Sequence, residues 1–144
     1  MKVKIINRSN NPLPAYQTSG SAGVDLRAYL DEAITLEPLE RRLIPTGLHI
    51  ALPKGYEAQL RARSGLSTKH GITLINAVGT IDSDYRGEIK IGLVNLSREA
   101  YTIEPGERVA QMIIAQYEQV NFELVDELDD TDRGEGGFGS TDKR

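Results

Sequence analysis

The chain contains no cysteine. That absence excludes a disulfide framework, a thiolate zinc site and a cysteine nucleophile together, and it suits a reducing compartment. Histidine is nearly absent: His49 and His70 are the only two, far apart and without ligand spacing, so both are expected to be structural or exposed. Long apolar runs are missing as well. The segment Met1-Lys2-Val3-Lys4-Ile5-Ile6-Asn7 alternates charge with apolar residues, unlike a signal peptide or a membrane span, and reads as the first strand of a cytoplasmic protein. Nor is there an excess of positive charge. A formal net charge of −4 leaves no wide basic surface for a nucleic acid backbone, although a local arginine cluster can still hold a small anion. The chain is therefore expected to bind neither long nucleic acid nor membrane, and its chemistry must come from carboxylates, hydroxyls, amides and arginines.

A chain of 144 residues fits one domain and buries roughly two thirds of the surface it exposes when unfolded. No stretch shows sustained helical periodicity. Period-two alternation instead returns in residues 2–6, 23–28, 56–63 and 89–95, with turn residues at short spacing between them. The expectation is an all-β, jelly-roll-like sandwich or barrel. Its six prolines, at 12, 14, 38, 45, 53 and 105, fall where strands should begin, end or run along an edge. One short helix is expected over residues 65–70, with Ser64 as N-cap and Gly71 just past its C-terminus. Residues 109–115 are apolar at consecutive positions, as in a strand buried on both faces, so its second face needs either a symmetric subunit contact or a loop folded over it. Residues 1–125 form the expected body. From 126 to 144 acidic residues and glycines dominate and only Leu128 and Phe138 are large and apolar, which describes a mobile arm.

Arg63-Ser64-Gly65 stands where a strand should meet the helix. Unpaired N–H groups, a glycine permitting close approach and an arginine fork together suit a phosphate, while an ordinary cap beside a surface arginine is the plainer alternative. Asp82, Ser83, Asp84 and Tyr85 fall on an expected hairpin, with Asp82 at the mouth of a pocket where a base can orient water; a generic turn accounts for the same residues. The Asp82-Ser83-Asp84 spacing lacks the remainder of a calcium loop. Residues 134–139 match a dinucleotide-binding glycine pattern formally, but they lie in a polar tail rather than between a strand and a helix. That tail instead suits a nucleotide clamp: Phe138 stacks on a base, glycines such as Gly139 present N–H groups, and Arg133, Ser140 and Thr141 take phosphate oxygens. A solubilising tail is the alternative. Asp25 and Arg27 project from one face of their strand, with a surface ion pair as the default explanation.

Taken in order, AGVDLRA (22–28), RSGLSTKHG (63–71), GTIDSDYRGEIKIGLVN (79–95), GERVAQMII (106–114) and RGEGGFGST (133–141) resemble the five motifs of the trimeric dUTPases. The resemblance implies a jelly-roll-like homotrimer whose three active sites are each shared among subunits, hydrolysing dUTP to dUMP and pyrophosphate. It implies that Asp82 polarises the attacking water and that Tyr85 packs on the deoxyribose, leaving no room for a 2′-hydroxyl. Asn76 and the main chain around Gly79 and Ile81 would read the uracil. Arg63, Ser64, Gly65 and Gln111 would hold phosphates, and Arg133, Phe138, Gly139, Ser140 and Thr141 would close as a lid. Asp25 and Arg27 would support the catalytic centre, with Mg2+ held by the triphosphate and waters and Asp25 reaching it through water. The dCTP deaminases share the fold and the triphosphate site, but they resemble a proline-glycine-phenylalanine run after the aspartate, where this chain has Ser83-Asp84-Tyr85. A non-catalytic nucleotide sensor on the same trimer is the rival from another class.

Overall fold

The computed structural model describes residues 1–137. Eleven strands and one helix follow in the order β1 (Lys4–Asn7), β2 (Gly23–Arg27), β3 (Ile34–Leu36), β4 (Arg41–Pro45), β5 (Leu48–Ala51), β6 (Tyr56–Arg61), α1 (Ser64–His70), β7 (Ile72–Leu74), β8 (Gly79–Ile81), β9 (Lys90–Asn95), β10 (Tyr101–Ile103) and β11 (Arg108–Gln116). Every pairing is antiparallel. A four-stranded sheet runs β2-β11-β6-β8, a three-stranded sheet β4-β9-β7, and two-stranded sheets join β1 to β5 and β10 to β3. This is the jelly-roll-like, all-β form expected from the alternating pattern. No helix among the described residues is long and apolar enough to cross a membrane.

Alternation decides which side chains enter the core. In β2, Val24 and Leu26 are buried while Gly23, Asp25 and Arg27 face outward, the period-two geometry of a strand with one covered face. Val24 and Leu26 join Ala58 and Leu60 of β6, Ile44 of β4, Ile72 and Leu74 of β7, Ile91 and Leu93 of β9 and Met112 of β11 in one apolar cluster. Truncating a fully buried member such as Leu26 to alanine costs about 2–5 kcal/mol. Asn95 is also fully buried, and all of its amide is satisfied: Nδ2 donates to the carbonyls of Leu36 (2.9 Å) and Glu99 (2.7 Å), and Oδ1 accepts from the Ser97 N–H (2.9 Å) and hydroxyl (2.8 Å).

Two local expectations are corrected, the N-cap of α1 and the hairpin, and the covering of the apolar strand is found incomplete within one chain. The N-cap of α1 is Arg63, with extended backbone (φ −83°, ψ 129°), and Ser64 is already helical, because the Ser67 N–H bonds the Arg63 carbonyl at 3.0 Å. No side chain caps the helix, so the exposed Ser64 hydroxyl is not used there; Gly71 terminates α1 as expected, in the left-handed conformation (φ 69°). The apolar strand, now β11, is central, and it buries Val109, Ala110 and Met112, but Gln111, Ile113 and Ala115 of the other face stay half-buried. Last, residues 76–90 do not form a hairpin. β7 and β9 pair with each other, whereas β8 between them pairs with β6 in the other sheet, so the chain crosses between sheets twice.

Candidate active site

The expected site residues fall into two groups. The first is held by strand register. Gln111 lies directly between Asp25 on β2 and Arg61 on β6, so Asp25 and Gln111 share the outer face of the four-stranded sheet. The Gln111 amide donates to the Ala62 carbonyl at 2.9 Å, and it lies over Gly23, where a Cβ would stand 2.7 Å from Gln111 Oε1. A side chain at position 23 would displace the Gln111 amide from this place.

Asp25 does not pair with Arg27. One carboxylate oxygen accepts from Arg63 Nε at 2.8 Å and the other from Arg108 Nη1 at 3.1 Å, while Arg63 also reaches the Arg108 carbonyl at 3.2 Å. Arg27 instead donates to the Gly106 carbonyl at 2.7 Å, which ties β2 to the turn before β11. The default surface pair fails for a simple reason: side chains two apart on a strand stand nearly 7 Å apart, and residues of other elements lie closer. Asp25, Arg63 and Arg108 are thus two guanidinium groups bridged by one partly buried carboxylate, with a net charge of +1 beside the first turn of α1. Arg108 was not anticipated, although it lies inside the segment GERVAQMII. Behind Arg63, the Tyr101 hydroxyl donates to Glu107 at 2.6 Å; burial, and then that bond, push its pKa up to about 12, while the charge of Arg63 pulls the other way. The Tyr101 ring packs against His70 of α1 with centroids 5.0 Å apart.

The second group sits on the crossover. Asn76, Gly79, Ile81, Asp82 and Tyr85 line one cleft of about 350 Å3. Gly79 is buried and its missing side chain matters, since a Cβ would lie 3.1 Å from Leu60 Cβ and 3.2 Å from the Asn76 amide nitrogen. Ala77, next to Asn76, has φ 60°, a left-handed conformation that costs a residue with a side chain about 1–3 kcal/mol. Asp82 follows the last residue of β8 and is exposed, with its carbonyl accepting from the Tyr85 N–H at 3.1 Å. It also borders a second cleft of about 690 Å3, together with Ser83, Asp84, Arg86, Lys54 and Tyr117. The Tyr85 hydroxyl donates to the Glu88 carbonyl at 3.0 Å, and its ring fills the place where a Gly87 side chain would stand. Gly87 and Arg86 are the residues here that motif reading missed.

One chain does not bring the two groups together. Asp25 and Gln111 align with Arg61 of β6, whereas Ile81 aligns with Ala58, and Asp25 is three strands from β8. Strand spacing and rise put Asp82 on the order of 20 Å from Asp25, too far for one triphosphate to touch both. Arg133 is exposed, and its Nε donates to the Gly136 carbonyl at 2.8 Å within the tail. Phe138, Gly139, Ser140 and Thr141 lie outside the described residues.

The family model described as dUTPase matches residues 9–142. A protein of Finegoldia magna named deoxyuridine 5′-triphosphate nucleotidohydrolase is 68% identical over 141 residues, covering 98% of this chain and 99% of that one. A protein of the same name from Cytophaga hutchinsonii is 62% identical over 141 residues, covering 98% and 92%. Among solved structures, the dUTPase of Staphylococcus bacteriophage 80alpha with dUPNHPP superposes with a TM-score of 0.89 at 27% identity, covering 99% of each chain. With residues 9–142 matched, the chain belongs to the dUTPase family.

Proposed function

We propose that the protein hydrolyses dUTP to dUMP and pyrophosphate, at sites assembled between copies of the chain in a homotrimer. The observation that supports this reading is the division of the site: a phosphate-suited arginine cluster and the carboxylate proposed to direct water lie far apart on one chain, and a second copy would bring the missing half within reach. The half-buried outer face of β11 and the exposed Val120, Phe122 and Leu124 beyond it supply surface for such neighbours.

In this reading Arg63, Arg108, Gln111 and the first N–H groups of α1 neutralise and orient the phosphates. Asp82 of another copy takes a proton from water as the oxygen forms its bond to the α-phosphorus. The bond from that phosphorus to the bridging oxygen breaks, and pyrophosphate leaves with the electron pair. Positioning and charge neutralisation are the main demands of such a transfer, and they are met without a covalent intermediate. Asn76 and the Gly79–Ile81 main chain border the place for the uracil edge, and the Tyr85 ring supplies the wall that excludes a ribose. The arm, with Arg133 and the residues from Phe138 to Thr141, closes over the bound nucleotide and sheds water.

The residues present fit a magnesium ion carried by the substrate. Both Asp25 oxygens are engaged by arginines, and no three His, Cys, Asp or Glu gather in a metal cluster among the described residues. A hard ion that keeps part of its water shell needs no protein cage; when bound, it neutralises charge on the phosphates. A cytoplasmic setting, supported by the cysteine-free composition, belongs to the same reading.

Asp82→Asn tests it. Pyrophosphate release from dUTP with magnesium should fall at least about a thousandfold, while affinity for a non-hydrolysable dUTP analogue stays within roughly tenfold, or 1.4 kcal/mol. Near-normal turnover would remove Asp82 from the mechanism, and a wild-type protein that binds dUTP without turnover would be a sensor. Ammonia released from dCTP would mark a deaminase. Truncation after Asp132 should leave the unfolding midpoint unchanged and lower kcat about a hundredfold; an undiminished rate would exclude the arm from the site.

A further inference from the structure

The turn that carries Asp82 is held by a side chain outside the reaction. Residues 82–89 belong to no strand or helix, and within the turn itself a single backbone bond, Tyr85 N–H to the Asp82 carbonyl, limits its motion. Side chains add to it: the Ser83 hydroxyl meets the Tyr117 hydroxyl at 3.4 Å, and Arg86 makes the two shortest bonds. Its Nη1 donates one hydrogen to the Ser83 carbonyl at 2.7 Å and the other to the Tyr85 carbonyl at 2.8 Å, closing both flanks of the turn with one group. The Arg86 carbonyl in turn meets His49 Nδ1 at 3.0 Å, which places the ring proton on that nitrogen. His49 stands on β5, paired in register with Ile6 of β1. Immediately downstream, Glu88 accepts from the Gly47 N–H at 2.9 Å and the Ile89 N–H bonds the Leu48 carbonyl at 2.8 Å. The segment is therefore tied to β5 through the Arg86 carbonyl, Glu88 and Ile89, while the Arg86 guanidinium braces the turn from within.

We infer that Arg86, backed by His49, is the positioning residue that aims the Asp82 carboxylate. The inference rests on the role of Asp82 given above. Arg86 holds the Tyr85 main chain, but the Tyr85 side chain has separate anchors, its bond to the Glu88 carbonyl and its seat against Gly87. Loosening Arg86 therefore misdirects the carboxylate and leaves the sugar wall in place, which separates kcat from KM.

Arg86→Gln should lower kcat between about tenfold and a hundredfold, the scale of an ångström-sized misplacement, with KM within about twofold and an unchanged unfolding midpoint. Arg86→Gly should lose as much, and added methylguanidinium should restore part of the rate, because Arg86 is exposed and its place is open to a small cation. His49→Phe, which removes only the second tie, should cost about threefold in kcat. Wild-type kcat in Arg86→Gln, a loss confined to KM, or a rate loss that follows a lowered unfolding midpoint without guanidinium rescue would each overturn the positioning role. Failure of the wild-type protein to release pyrophosphate in the same assay would instead bring down the assignment of Asp82.

Discussion

Asp25 and Gln111 occupy one row across two paired strands, and their neighbours Arg63 and Arg108 complete a network of charge-assisted bonds. Asn76, Asp82 and Tyr85 occupy a segment that leaves one sheet for the other and returns, held by bonds from side chains to main-chain carbonyls. The first region takes its order from register: once β2, β11 and β6 pair, the outward faces of alternate residues have no other place to go. The second takes its order from a few specific anchors, because a crossover has no ladder to share. A phosphate cluster tolerates some play, since charge acts over distance. A carboxylate with the proposed task of aiming water tolerates less, and the donors that converge on residues 83–88 fit that demand.

Asp25 offers the first way to break this contrast. Asp25→Ala leaves the Arg63 and Arg108 guanidinium groups without their common partner, and should remove about 2 kcal/mol of transition-state stabilisation, roughly thirtyfold in kcat/KM. If turnover survives intact, the strand-borne cluster is not set by its carboxylate. A smaller effect is expected on the crossover side: in Gly87→Ala the new methyl overlaps the Tyr85 ring, so KM for dUTP should rise about tenfold and discrimination against UTP should weaken. Unchanged discrimination would release Tyr85 from its proposed role as the sugar wall. The smallest effect belongs to Tyr101, behind the cluster. Its neutral form is favoured in the folded chain, so its contribution to stability is complete below the ordinary value of 10.0 and is lost as pH rises through about 12. Tyr101→Phe should flatten the alkaline fall in stability between those values, read by denaturant unfolding against pH; an unaltered slope would show that the Glu107 bond does not matter there.

Much of the sheet region is legible in the residue pattern alone. Val24 and Leu26 alternate with Asp25 and Arg27, so their strand and its buried face follow from period two, and the α1 terminus follows from Gly71, whose left-handed backbone needs no side chain. The motif order likewise locates the candidate residues. What alternation cannot carry is the identity of partners across elements. Asp25 sits two residues from Arg27, yet its carboxylate is taken by arginines 38 and 83 residues away in the chain. The cap of α1 falls on Arg63, which keeps extended backbone two residues beyond β6 and hands over to the helix at Ser64.

By itself, then, the order of residues determined the strand faces, the absence of thiol chemistry and the set of polar groups available for catalysis, since these depend on side-chain type and local period. Tertiary structure alone decided that residues 76–90 cross between sheets, that Arg108 and not Arg27 shares Asp25, and that the Asp82 turn hangs from β5 through Arg86 and His49. Those outcomes depend on which strands become neighbours, a choice made by burying one common core rather than by any segment's own preference.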